Sequence, residues 1–197
     1  VASNSRVVAQ AQTRRRIKEI GRQMLLDEGY TAASIASIAE EAGFTTGAFY
    51  SNFTSKAQLT LEVLADLQQE CQDELADILA APADADVIDR LHTWCNRLLD
   101  SGWPRLELEF ALSIRGDDEL VATEGDRNRE AVNGLAPLIA ERLPVPSTGP
   151  FAAENVAEMI LNMAFGIAVR NVIDPRVTAD GIFESIRTVM SAQVADG

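Results

Sequence analysis

Residues Thr31 to Lys56 read TAASIASIAEEAGFTTGAFYSNFTSK, and the spacing within this stretch predicts two short helices joined by a tight turn. Ile35, Ile38 and Ala39 recur at helical spacing, so one face of the first segment is apolar. Gly43 takes a positive φ at no steric cost and ends that helix sharply. Thr45 then suits the N-cap of a very short second helix running through Phe49 and Tyr50. Two helices crossing steeply over such a turn form a helix-turn-helix, whose second helix enters a major groove. The stretch therefore predicts DNA binding.

The pattern widens in both directions. Glu28, Gly29 and Tyr30 end a preceding amphipathic helix. Ser34, Ile35, Ile38, Ala39, Ala42, Gly43, Phe44 and Thr45 follow at set spacings, then Gly47, Phe49, Tyr50, Asn52, Phe53, Ser55, Lys56 and Leu59. Taken together these residues resemble the N-terminal pattern of the TetR (TetR/AcrR-type) family of transcriptional regulators, over roughly a quarter of the chain. Two departures stand out: Ala33 where a Thr is common, expected to lose a phosphate-contacting hydroxyl, and Ile20-Gly21 where Ala-Ala is usual, expected to perturb packing. The resemblance implies an all-α protein, a three-helix DNA reader followed by a larger bundle. Its function would be that of a one-component regulator, most simply a repressor, binding a palindromic operator as a homodimer and released by a small-molecule effector.

Within the reader, Phe44, Phe49 and Phe53 fall where a small domain needs its core. Thr45, Thr46 and Ala48 are placed to meet base edges or a thymine methyl. Gly47 either permits close backbone approach to DNA or is a weak spot in a short helix. Tyr50, Asn52 and Lys56 bring a hydroxyl, an amide and an ammonium toward the phosphates, contacts that position without specifying. For Tyr50 and Lys56 that role, like the inclusion of Ser34 among the DNA-facing residues, is what the resemblance implies.

A net charge of −13 sits awkwardly with DNA binding until its distribution is considered. Residues 1–60 hold seven basic side chains against five acidic ones, a local +2 that leaves −15 for the remainder. Screening confines phosphate attraction to about 8 Å at physiological salt, so the local basic end governs contact. Arg14, Arg15 and Arg16 would touch the DNA backbone or form a solvated charge run.

An apolar content of 47% excludes a disordered chain, and no run of 18 uncharged apolar residues occurs, which excludes a transmembrane helix. No charged-then-apolar leader opens the sequence, giving a cytoplasmic expectation, although Val1 is not an ordinary initiator. Cys71 and Cys95 supply neither a disulfide framework nor a Cys-x-x-Cys site and read as small buried hydrophobes. The single histidine, His92, follows Asp89 by three residues; one Asp-x-x-His does not build a bundle di-iron site. No nucleophile elbow, phosphate loop or H-E-x-x-H pattern is present. Catalytic residues, metal and cofactor are therefore all expected to be none.

Residues 1–12 read as a flexible arm, 13–58 as the DNA-binding domain and 59–197 as a ligand-binding and dimerisation domain. Helices are expected over Thr13 to Glu28, from a Ser55/Gln58 capping box toward Ala81, and over Asp86 to Ser101, Arg105 to Arg115 and Asp118 to Leu143. Two more follow, over Phe151 to Ile173 and Thr178 to Ala192. Breaks fall at Pro82-Ala83-Asp84, Gly102-Trp103-Pro104, Leu143 to Pro150 and Asp174-Pro175. The helix starting near Ser55 is long enough to act as a rod from the reader into the body, or simply to pack at both ends.

Trp94, Trp103, Phe110, Met159, Met163 and Phe165 would wall a small-molecule pocket or form core, and Asn162, a polar amide in an apolar run, needs a partner if buried. Ile160, Met163, Ala164, Ile167, Ile182, Phe183, Ile186, Val189 and Met190 exceed what one bundle face requires and point to a dimer surface on the last two helices. An alternative outside gene regulation is an all-α small-molecule binding or carrier protein whose helix-turn-helix makes protein contacts.

Overall fold

The computed structural model describes residues 2–80, 86–142 and 145–195, with the side chains of 2–6, 86 and 189–195 left aside. The described residues form α1 (Ala2–Glu28), α2 (Ile35–Glu41), α3 (Thr46–Tyr50), α4 (Lys56–Ala80), α5 (Asp86–Leu99), α6 (Trp103–Ser113), α7 (Asp118–Arg142), α8 (Ala153–Ile173) and α9 (Asp180–Ala195), with no strand among them. The all-α expectation holds, and the predicted helix ends fall within a few residues of those observed, with one exception.

That exception is α1. Helix runs from Ala2, so the segment expected to be an arm is helical apart from Val1, which lies outside the described residues. No Gly or Pro interrupts residues 2–13, so nothing local stops the helix. Val7 (62% exposed) and Val8 (50%) nonetheless bury little. The breaker Pro82-Ala83-Asp84 and part of the loop from Leu143 lie outside the described residues. Pro137 sits inside α7 without ending it, on an exposed position where its ring meets solvent.

The chain forms two compact units that a linear reading does not separate: residues 1–67 with 105–124, and residues 68–104 with 125–197. The division falls inside α4, beyond the expected boundary at residue 58, and α6 from Arg105 joins the N-terminal unit. Ile17, Leu25, Ile38, Phe49, Phe53, Leu59, Val63, Leu64, Leu106 and Phe110 are fully or almost fully buried there. The Ile20-Gly21 departure is accommodated by packing. A Cβ on Gly21 would come within 2.7 Å of Leu59 Cδ2, so the missing methyl is the space that Leu59 fills.

In the second unit Leu135, Ala136 and Ile139 of α7 pack with Ala157 of α8, joined by Leu75, Val132, Val156 and Leu161. His92 of α5 stacks on Phe183 of α9 with ring centroids 4.9 Å apart. Asp180 accepts from Asn96 (3.0 Å) and pairs with His92 Nε2 (2.6 Å), while Arg187 reaches Asp89 (2.6 Å) and His92 Nδ1 (3.1 Å). Arginine only donates, so Nδ1 accepts and Nε2 carries the proton given to Asp180.

α8 corrects one expectation from composition. It is long and apolar enough to cross a membrane, and only 11% of its most apolar window is buried. Counting uninterrupted apolar runs misses it, because Glu154, Glu158 and Arg170, with Asn155, Asn162 and Asn171, are scattered through the helix.

Candidate nucleic-acid interface

The reader is assembled by local capping. Ser34 Oγ accepts the Ser37 amide (3.0 Å) and opens α2. Gly43, at φ 80°, donates to Glu40 O (2.9 Å) while Phe44 donates to Ala39 O (2.8 Å), closing α2 and turning the chain. Thr45 Oγ1 accepts the Ala48 amide (3.2 Å) and starts α3. At the far end Ser51 Oγ donates to Gly47 O (2.9 Å) and Asn52 Nδ2 to Ala48 O (2.8 Å). A five-residue helix is too short to hold itself. Caps at both ends and the burial of Phe49 against Phe53 (centroids 5.6 Å apart) hold it instead.

These constraints leave Thr45, Thr46 and Gly47 exposed, Ala48 half-buried, and Tyr50 edge-on to Phe49 with more than half its surface in solvent. The expected base-reading residues thus share one accessible turn. Ser34 is exposed, but its oxygen is engaged in capping.

Three expectations change. Asn52 caps the recognition helix, and its Oδ1 is buried with no hydrogen-bond partner among the described residues. Phosphate accepts only, so any contact from Asn52 would come from the second N–H of its amide, not from that oxygen. Ala33 is 1% exposed, hence a Thr there would pack inward instead of reaching DNA. Lys56 Nζ donates to Tyr30 O (2.6 Å) and Ala33 O (2.8 Å) and lies 4.2 Å from the Tyr30 ring centroid. Desolvation lowers its pKa, opposed by the nearby Glu109 carboxylate. Burial likewise raises the Tyr30 pKa. Phosphate contact by Lys56 would fall to its third N–H alone.

The arginine run divides by partner. Arg14 pairs with Glu62 (2.6 Å) and stacks over Phe53 (4.3 Å), so it braces α1 against α4. Arg16 lies 3.5 Å from Glu19, and Lys18 pairs with Asp66 (2.7 Å). Arg15 is exposed and makes no ion pair among the described residues, the best placed of the run for a phosphate.

The residues expected to wall a ligand pocket divide between the two units. Phe110 is fully buried in the reader's unit, edge-on to Tyr30 (5.2 Å). Met159, Asn162, Met163 and Phe165 are solvent-exposed on α8. Trp103 is half-buried, its Nε1 without a partner among the described residues. Trp94 lines an open groove of about 610 Å³ with Glu74, Asp77, Ile78, Asp89, Arg90, Thr93 and Arg97. There its indole N–H donates to Glu74 (2.9 Å), which also takes Arg97 (2.5 Å). Apolar periodicity marked these residues as inward-facing but carried no information on which neighbour each meets. Burial pushes the Cys95 thiol up to about 11, so it stays protonated and a poor nucleophile.

Of the expected dimer residues, Ile160 (37% exposed), Ala164 and Ile186 (36%) face solvent and Ile167 is half-buried. Phe183 is buried under His92 and belongs to the fold. The side chain of Met190 lies outside the described residues. Met163, also expected at that surface, is exposed, and Met159 extends the same apolar stripe of α8.

A capped helix-turn-helix with an accessible second helix, supported by a basic N-terminal segment, defines a DNA-binding module. Residues 19–63 match the family model described as bacterial regulatory proteins, tetR family. The chain is 30% identical over 123 residues to the HTH-type transcriptional repressor DhaR of Mycobacterium sp. strain GP1, a match spanning 59% of this chain and 60% of that one. Solved structures agree over more of the fold. A putative transcriptional regulator from Saccharomonospora viridis in complex with choline has TM-score 0.66 at 20% identity, covering 92% of this chain and 96% of that one. The fatty acid degradation regulator FadR of Bacillus halodurans has TM-score 0.65 at 17% identity, covering 90% and 93%. Residues 19–63 thus match the tetR-family DNA-binding model, and the chain as a whole resembles TetR-type transcriptional regulators.

Proposed function

We propose that this protein is a homodimeric repressor that binds a palindromic operator in the cytoplasm and is released by a small organic effector. The observation that carries the reading is the accessible turn Thr45, Thr46, Gly47 and Ala48, held rigid by caps at both ends of α3. Similarity to a protein named as a repressor supports the sign of regulation. The exposed apolar stripe of α8 supports a second copy of the chain as its cover. A two-fold axis through that contact would match the symmetry of a palindrome. The groove beside Trp94 is the candidate effector site, and a similar fold holding choline supports a small organic ligand. Release would be a reciprocal coupling, typically worth about 1–3 kcal/mol or a roughly 5- to 150-fold change in affinity.

Selection of bound duplexes from a random pool tests the reading. The wild-type chain should recover an inverted repeat. Thr46→Ala should shift the preferred bases by about 1–3 kcal/mol of discrimination at one position in each half-site. Tyr50→Phe, losing a phosphate-directed hydroxyl, should weaken all sequences alike. Recovery of no duplex would overturn the proposal.

A further inference from the structure

The end of α1 and the turn leading into α2 are held by α6, from residues some 75 to 80 positions downstream. Arg105 Nη2 donates to Leu26 O (3.0 Å) and Asp27 O (2.6 Å), two carbonyls that the helix end leaves without an intrahelical partner. One helical turn further on, Glu109 Oε2 accepts the Thr31 amide at 2.8 Å. The Glu109 carboxylate fills the space beside Gly29, where a Cβ would stand 2.6 Å from its oxygen. Lys56 closes the turn from the α4 side through Tyr30 O and Ala33 O, with its charge in the field of the same carboxylate. Phe110 backs the Tyr30 ring.

None of these groups belongs to the accessible face of α3, yet together they fix where α2 begins and how the helix pair departs from α1. We infer that Glu109 is a positioning residue of the DNA reader, acting by anchoring the Thr31 amide beside Gly29. This rests on the DNA-binding reading above. The Thr31 bond is solvent-exposed, so its loss should loosen the turn without unfolding the unit. A residue that positions without touching phosphate leaves the salt dependence of binding intact, because that slope counts displaced counterions.

The test uses the full chain as wild type, Glu109→Ala and Glu109→Gln. Affinity for the duplex recovered by the wild-type protein is measured across a salt series, alongside thermal unfolding. Glu109→Ala should bind about tenfold more weakly, the scale of one charge-assisted hydrogen bond, with salt slope and midpoint unchanged. Glu109→Gln, whose amide oxygen still accepts from Thr31, should recover most of the loss. Wild-type affinity in the Ala variant overturns the inference. So does a slope change of about one charge, a Gln variant as weak as Ala, or a loss of binding that tracks loss of folded protein. A wild-type chain that recovers no duplex would sink the DNA-binding reading and the inference together.

Discussion

Gly29 takes a φ of 88° at the end of α1, a region that costs a side-chain-bearing residue strain, and a Cβ there would press on Glu109. Gly29→Ala should therefore destabilise the protein by about 1–3 kcal/mol in denaturant unfolding. Gly43→Ala should cost less, because nothing lies within 4 Å of a Cβ at that site. Equal losses would show that backbone strain alone matters and that the packing against Glu109 does not. Such positions were legible in the sequence, since a glycine stop, a Thr45 cap and a Ser55/Gln58 box act on backbone a few residues away. The box itself forms with a twist: Ser55 Oγ accepts from Gln58 N, while Gln58 Oε1 takes the amide of Thr54. Lys56 and Asn52 were harder to place. The same ammonium or amide serves a phosphate or a carbonyl, and the carbonyls of Tyr30 and Ala33 lie 26 and 23 residues from Lys56.

At the scale of elements, helix existence followed from Gly, Pro and capping residues, whereas helix faces did not. α8 is apolar on more than one face, so its pattern suits Met163 to a pocket and to a dimer surface alike; in the structure Met159 and Met163 are both exposed. If that face is covered by a second copy, Met163→Asp should convert a dimer to a monomer in sedimentation at micromolar concentration while leaving helicity unchanged. A monomeric wild type would contradict the assignment. Phe183→Glu is no test of dimerisation, because it strikes the α5–α9 packing under His92.

That packing has its own signature in pH. Hydrogen bonds from Asn96, then His92 and Thr178, hold the Asp180 carboxyl down at about 2, below its ordinary 3.8. A depressed carboxylate contributes stability that is complete above the unfolded value and lost as pH falls through the folded one. The Asp180 contribution should therefore fade between about pH 4 and pH 2. In that window the stability gap between wild type and Asp180→Asn should narrow. A gap that stays constant down to pH 2 would place the carboxyl's pKa elsewhere.

For the whole molecule, the sequence shows a basic end and an acidic body but conceals that the DNA-reading unit is discontinuous, drawing on residues 105–124. Contacts so distant in the chain leave no periodic trace. That charge separation is compatible with DNA binding, since salt confines the body's negative field to about 8 Å. If two copies read DNA together, as proposed, both of these small surfaces must engage at once, on the same face of the duplex. Their recognition helices then meet successive major grooves about 34–36 Å, or 10–10.5 base pairs, apart. Hydroxyl-radical footprinting on the selected duplex measures that spacing directly. Two equivalent protected patches centred about one helical turn, or a whole number of turns, apart are predicted, both lost together in Met163→Asp. A single protected patch, or protection unchanged in that variant, would contradict the account of a dimeric DNA-binding regulator.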